Sequence, residues 1–380
     1  MATFITALDP GPGPGPLLAV KDLIDVAGVA TTAGSRVVAR SAAPAGHDAP
    51  CLAGARAAGA RLVGKANLYE LAFGASGVNE WYGTPVNPLD AGLVPGGSSS
   101  GSAVAVAEGA ADVAYGSDTG GSIRVPSAFC GTVGLKTTFG RVPVAGVWPL
   151  APSLDTVGPM GRDVAAVVLG MALLEPGFTP APAPPPLVAR LRPAGPDGLL
   201  AVDPVIDAAV DRALAAAGIE IAEVVVGDWE AAYGATTVIL ESEAAASNRA
   251  LLDDRTCRAG LGATVRRRLE AGAAVEADRV AAARGFRGRW QETVAGLFGR
   301  APVLALPTVP FFPPPLGEAD GHRYTTFTNP FNLAGVPALS LPVPTTGPLP
   351  AGLQLVAPAG GEELLLATAA VIEAAVGPPR

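Results

Sequence analysis

The stretch GSDTGGSIRVPSAFCG, residues 116–131, sets Ser122 directly after Gly120 and Gly121 and two positions before Arg124, in a chain with only 16% charged residues. Such a serine is either part of a polar turn, since Gly and Ser dominate turns on conformational grounds, or a nucleophile ringed by backbone amides. The histidines narrow the choice of base. A Ser-His-Asp arrangement needs one well-placed histidine, and this chain has only His47 in AGHDAP and His322 in DGHRYT. Both sit in polar, turn-like settings and read as solvated surface. A serine without histidine needs another base, and a lysine kept neutral can serve.

Lys21 is the candidate, being one of three lysines (Lys21, Lys65, Lys136) and directly following the apolar run LLAV. To act near neutrality its pKa must fall several units from about 10.4, and burial supplies shifts of about 3–5. A lysine at a strand end can equally snorkel to solvent or pair with Asp22 or Asp25. A second serine-rich loop, PGGSSSGSA at 95–103, spaces Gly96 and Gly101 like the glycines of a phosphate loop, but Ser102 follows where that loop needs lysine. The prolines of GPGPGP likewise remove backbone donors. Cys130 in SAFCGT lacks an adjacent base and reads as a packed core cysteine. Cys51, Cys130 and Cys257 are too widely spaced for a disulfide framework or a zinc pattern, and acidic and histidine residues do not cluster at ligand spacing. No metal and no cofactor are expected.

The elements that must hold these residues alternate between strand and helix. LLAV reads as a buried strand ending at Lys21, and APCLAGARAAGARLVGKAN (49–67) as an amphipathic helix, then a glycine, then the strand Arg61–Gly64. GSAVAVAEGA (101–110) reads as a buried helix with a capping serine, and DVAYGSD as a strand feeding the glycine turn. Prolines and glycines cluster from Glu175 to Pro204, marking a surface connection. Beyond it come a helix over 204–218, a strand in IEIAEVVV, and strand-like runs at 301–310, 336–344 and 351–358. The order argues an α/β fold with a central mixed sheet and helices on both faces.

With 380 residues and 49% hydrophobic content, the chain can bury a large core, and its net charge of −8 offers no basic footprint for nucleic acid or an anionic membrane. No basic start precedes a long apolar run, and VAAVVLGMALL (164–174) is shorter than the roughly 20 residues of a membrane span. A cytoplasmic enzyme is expected.

The combination of VKDLIDVAGVATTAGS around Lys21, GLVPGGSSSGSAVAVA and GSDTGGSIRVPSAFCGTVGLKTT resembles the amidase signature family. Weaker matches in YGTPVNP, SLDTVGPMGR, ALPTVP, NLAGVPALSLPV and AGLQLVAP extend the resemblance over nearly the whole chain. It implies a single amidase domain over 1–380, with a core at about 17–170, a connection at about 175–204 and a C-terminal half, 205–380, completing sheet and cleft. It also implies a Ser-Ser-Lys triad: Ser122 as nucleophile, Ser98 as bridging serine behind a cis Gly97–Ser98 peptide, and Lys21 as base. Backbone amides of Thr119, Gly120, Gly121 and Ser122 would form the oxyanion hole, with Asp118 and Arg124 fixing the loop.

Within that family, Ser100 and Val125 stand where the A subunits of glutamyl-tRNA amidotransferases usually carry glycine and glutamine. The motifs look more like small-molecule amidases of the indole-3-acetamide amidase type. The expected function is hydrolysis of a small-molecule carboxamide to acid and ammonia or amine through an acyl-enzyme on Ser122. The competing readings are the amidotransferase A subunit itself and a non-catalytic docking domain; retention of Lys21, Ser98 and Ser122 weighs against the latter. Expected partners are a small-molecule amide, no nucleic acid and no membrane. A homodimer is expected to cover the surface left by the short lead before Lys21. Leu71 to Gly77, Trp148 and the aromatic loop at 311–332 are expected to line the cleft.

Overall fold

The computed structural model describes residues 2–377. Its framework is one mixed sheet of twelve strands among the described residues: β1 (Phe4–Ala7), β2 (Leu17–Lys21), β3 (Arg61–Ala66), β4 (Val113–Asp118), β5 (Val133–Lys136), β6 (Thr156–Gly161), β7 (Leu187–Gly195), β8 (Gly198–Leu199), β9 (Glu220–Val226), β10 (Val303–Pro307), β11 (Ala338–Val343) and β12 (Ala351–Val356). The spatial order is β1-β3-β2-β4-β6-β5-β11-β12-β10-β7-β8, with β9 also paired to β7. β2 runs parallel to both β3 and β4, whereas β4, β6, β5, β11, β12 and β10 are joined antiparallel in succession.

Alternate residues of these strands feed two apolar layers, which is why helices cover both faces. Val188, Val303, Ala305, Leu339, Leu341, Leu353 and Leu355 pack with the helices Val164–Leu174, Pro204–Ala216 and Glu362–Val376. Ala189, Leu191, Leu304 and Leu306 point the other way, toward the helices Trp229–Ser247, Ala263–Ala273 and Ala277–Phe298. At roughly 1.5–3 kcal/mol for each large side chain fully buried, these two layers set the frame on which the site is built.

Two local expectations change. The Pro/Gly-rich stretch from Glu175 is not connection alone: its residues 187–195 form β7, parallel to β10 and β9, with Val188 to Leu191 fully buried. The amphipathic helix expected at the start of 49–67 shrinks to a 3₁₀ turn, Pro50–Leu52, and about one and a half helical turns, Ala53–Ala57, which Gly59 at φ +72° ends.

Candidate active site

Lys21 and the Ser122 loop lie together because β2 and β4 are parallel neighbours in register, with Val20 opposite Tyr115. The carboxyl ends of both strands therefore open on one edge, where crevices form in such sheets. Lys21 Nζ lies 2.6 Å from Ser98 Oγ and donates to Ser117 Oγ at 2.9 Å, all three side chains being buried. Neither of the pairings open to Lys21 from sequence forms: Asp22 is bound instead to Lys65, Nζ to Oδ1 at 3.0 Å, and to Thr32. Burial lowers the Lys21 pKa from 10.5 to about 7, with the Asp118 and Asp155 carboxylates opposing the shift.

Ser98 reaches this lysine from the second serine loop, just before the helix Ser100–Ala107. Its Gly97–Ser98 peptide is cis. Three backbone bonds pin the loop: Gly97 N–H to Ala75 O at 2.8 Å, Tyr69 N–H to Ser98 O at 3.1 Å, and Ser99 N–H to Ser122 O at 3.1 Å. The last ties the two serine loops to each other. No serine caps the helix through its side chain; Ser99, at the cap position, turns its hydroxyl to Ser117 O at 3.2 Å.

Ser122 is 8% exposed and opens into a cavity of about 370 Å³. Thr119 and Gly120 share its wall. Among the described residues, nothing accepts a hydrogen bond from the backbone N–H of Thr119, Gly120, Gly121 or Ser122. Buried amides without partners are rare, so four of them in sequence beside a cavity form a ready cradle for negative charge. The glycines are dictated by packing. Gly121 has φ +138°, and a side chain there would collide with Thr328 Oγ1; one at Gly120 would collide with Asn329 Oδ1.

The loop's shape is held from below. Asp118, fully buried, takes Arg124 Nη2 at 2.9 Å, Arg124 Nε at 3.0 Å, Asn332 Nδ2 at 2.8 Å and the Ile123 N–H at 3.1 Å. Burial alone would raise its pKa, but the Arg124 guanidinium, with Lys136 and Asn332, outweighs it and holds the carboxyl far below the usual range. Arg124 in turn donates to Gln354 Oε1 at 2.6 Å and Thr328 O at 3.2 Å. Thr119 is fixed separately, its hydroxyl donating to Asp155 Oδ1 at 2.6 Å, while Asp155 also receives the N–H groups of Leu150 and Ala151.

Reading the sequence residue by residue missed Ser117, Asp155, Asn332 and Gln354. Asp155 stands in SLDTVGPMGR and Ser117 in GSDTGGS, both within recognised stretches, but only the pairing of β4 with β2 and β6 brings them to the loop. The cleft differs from expectation as well. Ala72 to Ser76 line the cavity, yet Trp148 lies outside the lining and donates its indole N–H to Asn248 at 3.1 Å. Of the loop at 311–332, Ala319 to Thr325 and Asn329 face the cavity, whereas Phe327 and Phe331 are fully buried against Trp229. His322 is exposed but lies at the rim, 5.2 Å from the Phe311 ring. No group of His, Cys, Asp or Glu side chains among the described residues gathers as around a metal ion, and no described helix is long and apolar enough to cross a membrane.

The family profile described as Amidase matches residues 10–366. The chain belongs to the amidase signature family. The A subunit of the glutamyl-tRNA(Gln) amidotransferase of Thermus thermophilus is 36% identical over 97% of this chain and 86% of its own length. That of Halobacterium salinarum is 35% identical over 98% of each. A crystal structure named simply as an amidase superposes with a TM-score of 0.85 at 34% identity, covering 95% of this amidase and 85% of that chain. These findings correct the expected partners, a lone small-molecule amide with no nucleic acid and a second copy of the chain. These two relatives, matched over 97% and 98% of this amidase, are named as A subunits of a glutamyl-tRNA(Gln) amidotransferase, and the expected closeness to indole-3-acetamide amidases is not what they show. The partner expectation failed because the net charge describes only this chain's own surface and the motifs carry no mark of a partner chain.

Proposed function

We propose that this amidase splits the side-chain amide of glutamine through an acyl-enzyme on Ser122 and serves as the A subunit of a glutamyl-tRNA amidotransferase. The observation that carries the chemistry is the fully buried Lys21 with its amine 2.6 Å from Ser98, under a cavity into which Ser122 opens. The assignment to glutamine and to an amidotransferase rests on the names of the relatives. It is supported by the cavity, whose wall carries Arg267 and Arg268 together with Glu241 and Asp320, charges of both signs that suit an amino-acid zwitterion.

Neutral Lys21 takes the Ser98 proton as Ser98 takes that of Ser122, and the Ser122 oxygen bonds to the amide carbon. The carbonyl oxygen becomes an alkoxide facing the amides of Thr119, Gly120, Gly121 and Ser122, each well-aimed donor being worth about 2.7–4 kcal/mol in the transition state. The relay returns the proton to the nitrogen, the C–N bond breaks and ammonia leaves. Water then repeats the sequence on the acyl-enzyme. With Lys21 near pKa 7, the fraction of neutral base, and with it the rate, rises with pH through about 7.

The test is ammonia release from glutamine by the purified chain, alone and with its partner subunits, against Ser122→Ala. Activity should be lost in the variant and should climb through pH 7 in the wild type. Full turnover by a folded Ser122→Ala protein would overturn the mechanism, and turnover of other amides but never of glutamine would overturn the substrate.

A further inference from the structure

A row of free amides can hold a negative oxygen only if each N–H is aimed, and a peptide between two glycines has no side chain to aim it. Gly120–Gly121, beside Ser122, is such a peptide. It is trans, so its C=O and N–H point in opposite directions. Gly120 O accepts the Thr328 hydroxyl at 2.6 Å and has no other donor among the described residues. That one bond sets the Gly121 N–H on the side away from Thr328.

Thr328 is fully buried and lies outside the cavity wall. It stands at the cap position of the helix Asn329–Ala334, yet its side chain does not cap the helix. Its hydroxyl proton has Thr325 O at 3.3 Å as the alternative, and the 2.6 Å contact to Gly120 O is the better bond. Two nearby peptides are held differently. Asp118 O, behind the Thr119 N–H, takes both the Thr156 hydroxyl at 2.8 Å and Asn332 Nδ2 at 3.3 Å, and Gly121 O, behind the Ser122 N–H, takes the Val125 N–H at 2.8 Å. Of the three, the peptide between the glycines alone depends on a single side-chain hydroxyl.

We infer that Thr328 is a positioning residue for amide hydrolysis, whose hydroxyl aims the Gly121 N–H at the substrate oxygen that becomes an alkoxide and strengthens it as a donor. The inference rests on Ser122 acting as the nucleophile. As the Ser122 oxygen bonds to the amide carbon and its proton passes through Ser98 to Lys21, the carbonyl π electrons move onto oxygen, and the aimed N–H meets that charge. A donor at the carbonyl end of a peptide polarises the N–H at the other end, so Thr328 acts on an oxygen it never touches. Without the hydroxyl, Gly120 O is a buried acceptor with nothing to accept, which is costly. The peptide, unhindered between its glycines, then turns toward another partner and takes the Gly121 N–H with it. Arg124 keeps its bond, because it donates to the Thr328 carbonyl and not to the side chain. The charge develops only in the transition state, so the loss falls on kcat and not on KM.

The experiment measures ammonia release from glutamine by Thr328→Val, which keeps the shape and removes the donor, and by Thr328→Ser, which keeps the donor, each with and without the partner subunits. Thr328→Ala removes the donor without adding a methyl group and takes the place of the valine variant should that one not fold. Loss of the hydroxyl should lower kcat about ten- to hundred-fold, while KM for glutamine and inhibition by glutamate change little, because Thr328 does not line the cavity. The rise of rate through pH 7, which reports Lys21, should stay in place, and Thr328→Ser should recover most of kcat. Wild-type kcat in a folded variant without the hydroxyl, a loss carried by KM, or an equal loss in Thr328→Ser overturns the inference alone. Labelling of Ser122 by a fluorophosphonate reports the nucleophile separately. A folded wild type whose Ser122 does not label, or that hydrolyses neither glutamine nor butyramide, overturns the functional reading and the inference with it. Turnover of butyramide but never of glutamine overturns the substrate only, and the same variants are then compared on butyramide.

Discussion

Replacing Lys21 by methionine, a side chain of similar length without charge, should separate catalysis from stability in opposite directions. A lysine whose pKa falls from 10.5 to about 7 is about 5 kcal/mol harder to protonate in the fold than in water, at roughly 1.4 kcal/mol per pKa unit. Between those two values the unfolded chain binds the proton and the folded chain does not, so wild-type stability rises with pH across that window. At pH 8 the lysine therefore costs the wild type about 3 kcal/mol, which Lys21→Met escapes. Against this, the variant leaves the Ser98 and Ser117 hydroxyls without their amine, a loss of about 1–3 kcal/mol. Urea unfolding should thus find Lys21→Met level with the wild type or about 1–2 kcal/mol more stable at pH 8, with the advantage shrinking as pH is raised toward 10. Amide hydrolysis by the same protein should fall by about 10⁴ or more, as when a triad member is removed. A variant less stable than the wild type by an amount independent of pH would show that Lys21 is charged and paired in the fold, and it could not then be the base.

Two further substitutions probe the loop that carries Ser122. Gly121→Ala should lower the rate by more than about 100-fold and cost about 1–3 kcal/mol, because φ +138° and Thr328 leave no room for a methyl group; wild-type kcat in a folded variant would refute the packing argument. Asp118→Asn leaves the buried Arg124 guanidinium without its counter-charge and should cost about 3–5 kcal/mol in urea unfolding. A loss below about 1 kcal/mol would mean that Gln354 and Asn332 suffice to hold it.

Much of the fold was legible in sequence because its strands are short apolar runs bounded by proline and glycine. The runs around Lys21, DVAYGSD and AGLQLVAP fall on β2, β4 and β12. β7 was hidden because prolines crowd both its sides and Arg190 and Arg192 interrupt its apolar run; those arginines are neutralised by Asp207 and Asp211 from the following helix, a pairing no local pattern announces. The site divides along the same line. Lys21, Ser98 and Ser122 stand out by residue type and motif, whereas Asp155 and Asn332 matter only through Thr119, Asp118 and Arg124, which the fold brings to them from elsewhere in the chain. The aromatic loop was misjudged because apolar rings suit a cleft and a core equally, and here Trp229 claims Phe327 and Phe331 at ring distances of 6.1 and 5.6 Å.

The partners of Arg124 explain why the Ser122 loop needs the second half of the chain. Everything local to the loop, Asp118, the glycines and the helix Arg124–Cys130, comes from the first half, and an isolated Asp118–Arg124 pair would carry a desolvation penalty that its own attraction need not offset. The remaining donors of Arg124 are taken by Thr328, Asn332 and Gln354, all more than 200 residues away. Thr328 also donates from its hydroxyl to Gly120 O at 2.6 Å, so the same segment that satisfies the arginine fixes the peptide next to the free amides. That segment is anchored by Trp229 and Trp290, whose indole N–H groups donate to Thr326 O and Pro330 O at 2.9 and 2.7 Å. The amides beside Ser122 are thus oriented by a chain of contacts reaching into the far aromatic layer. Shifts in that layer should reach the amides beside Ser122 before they reach Lys21, whose own contacts, to Ser98 and Ser117, all lie in the first half.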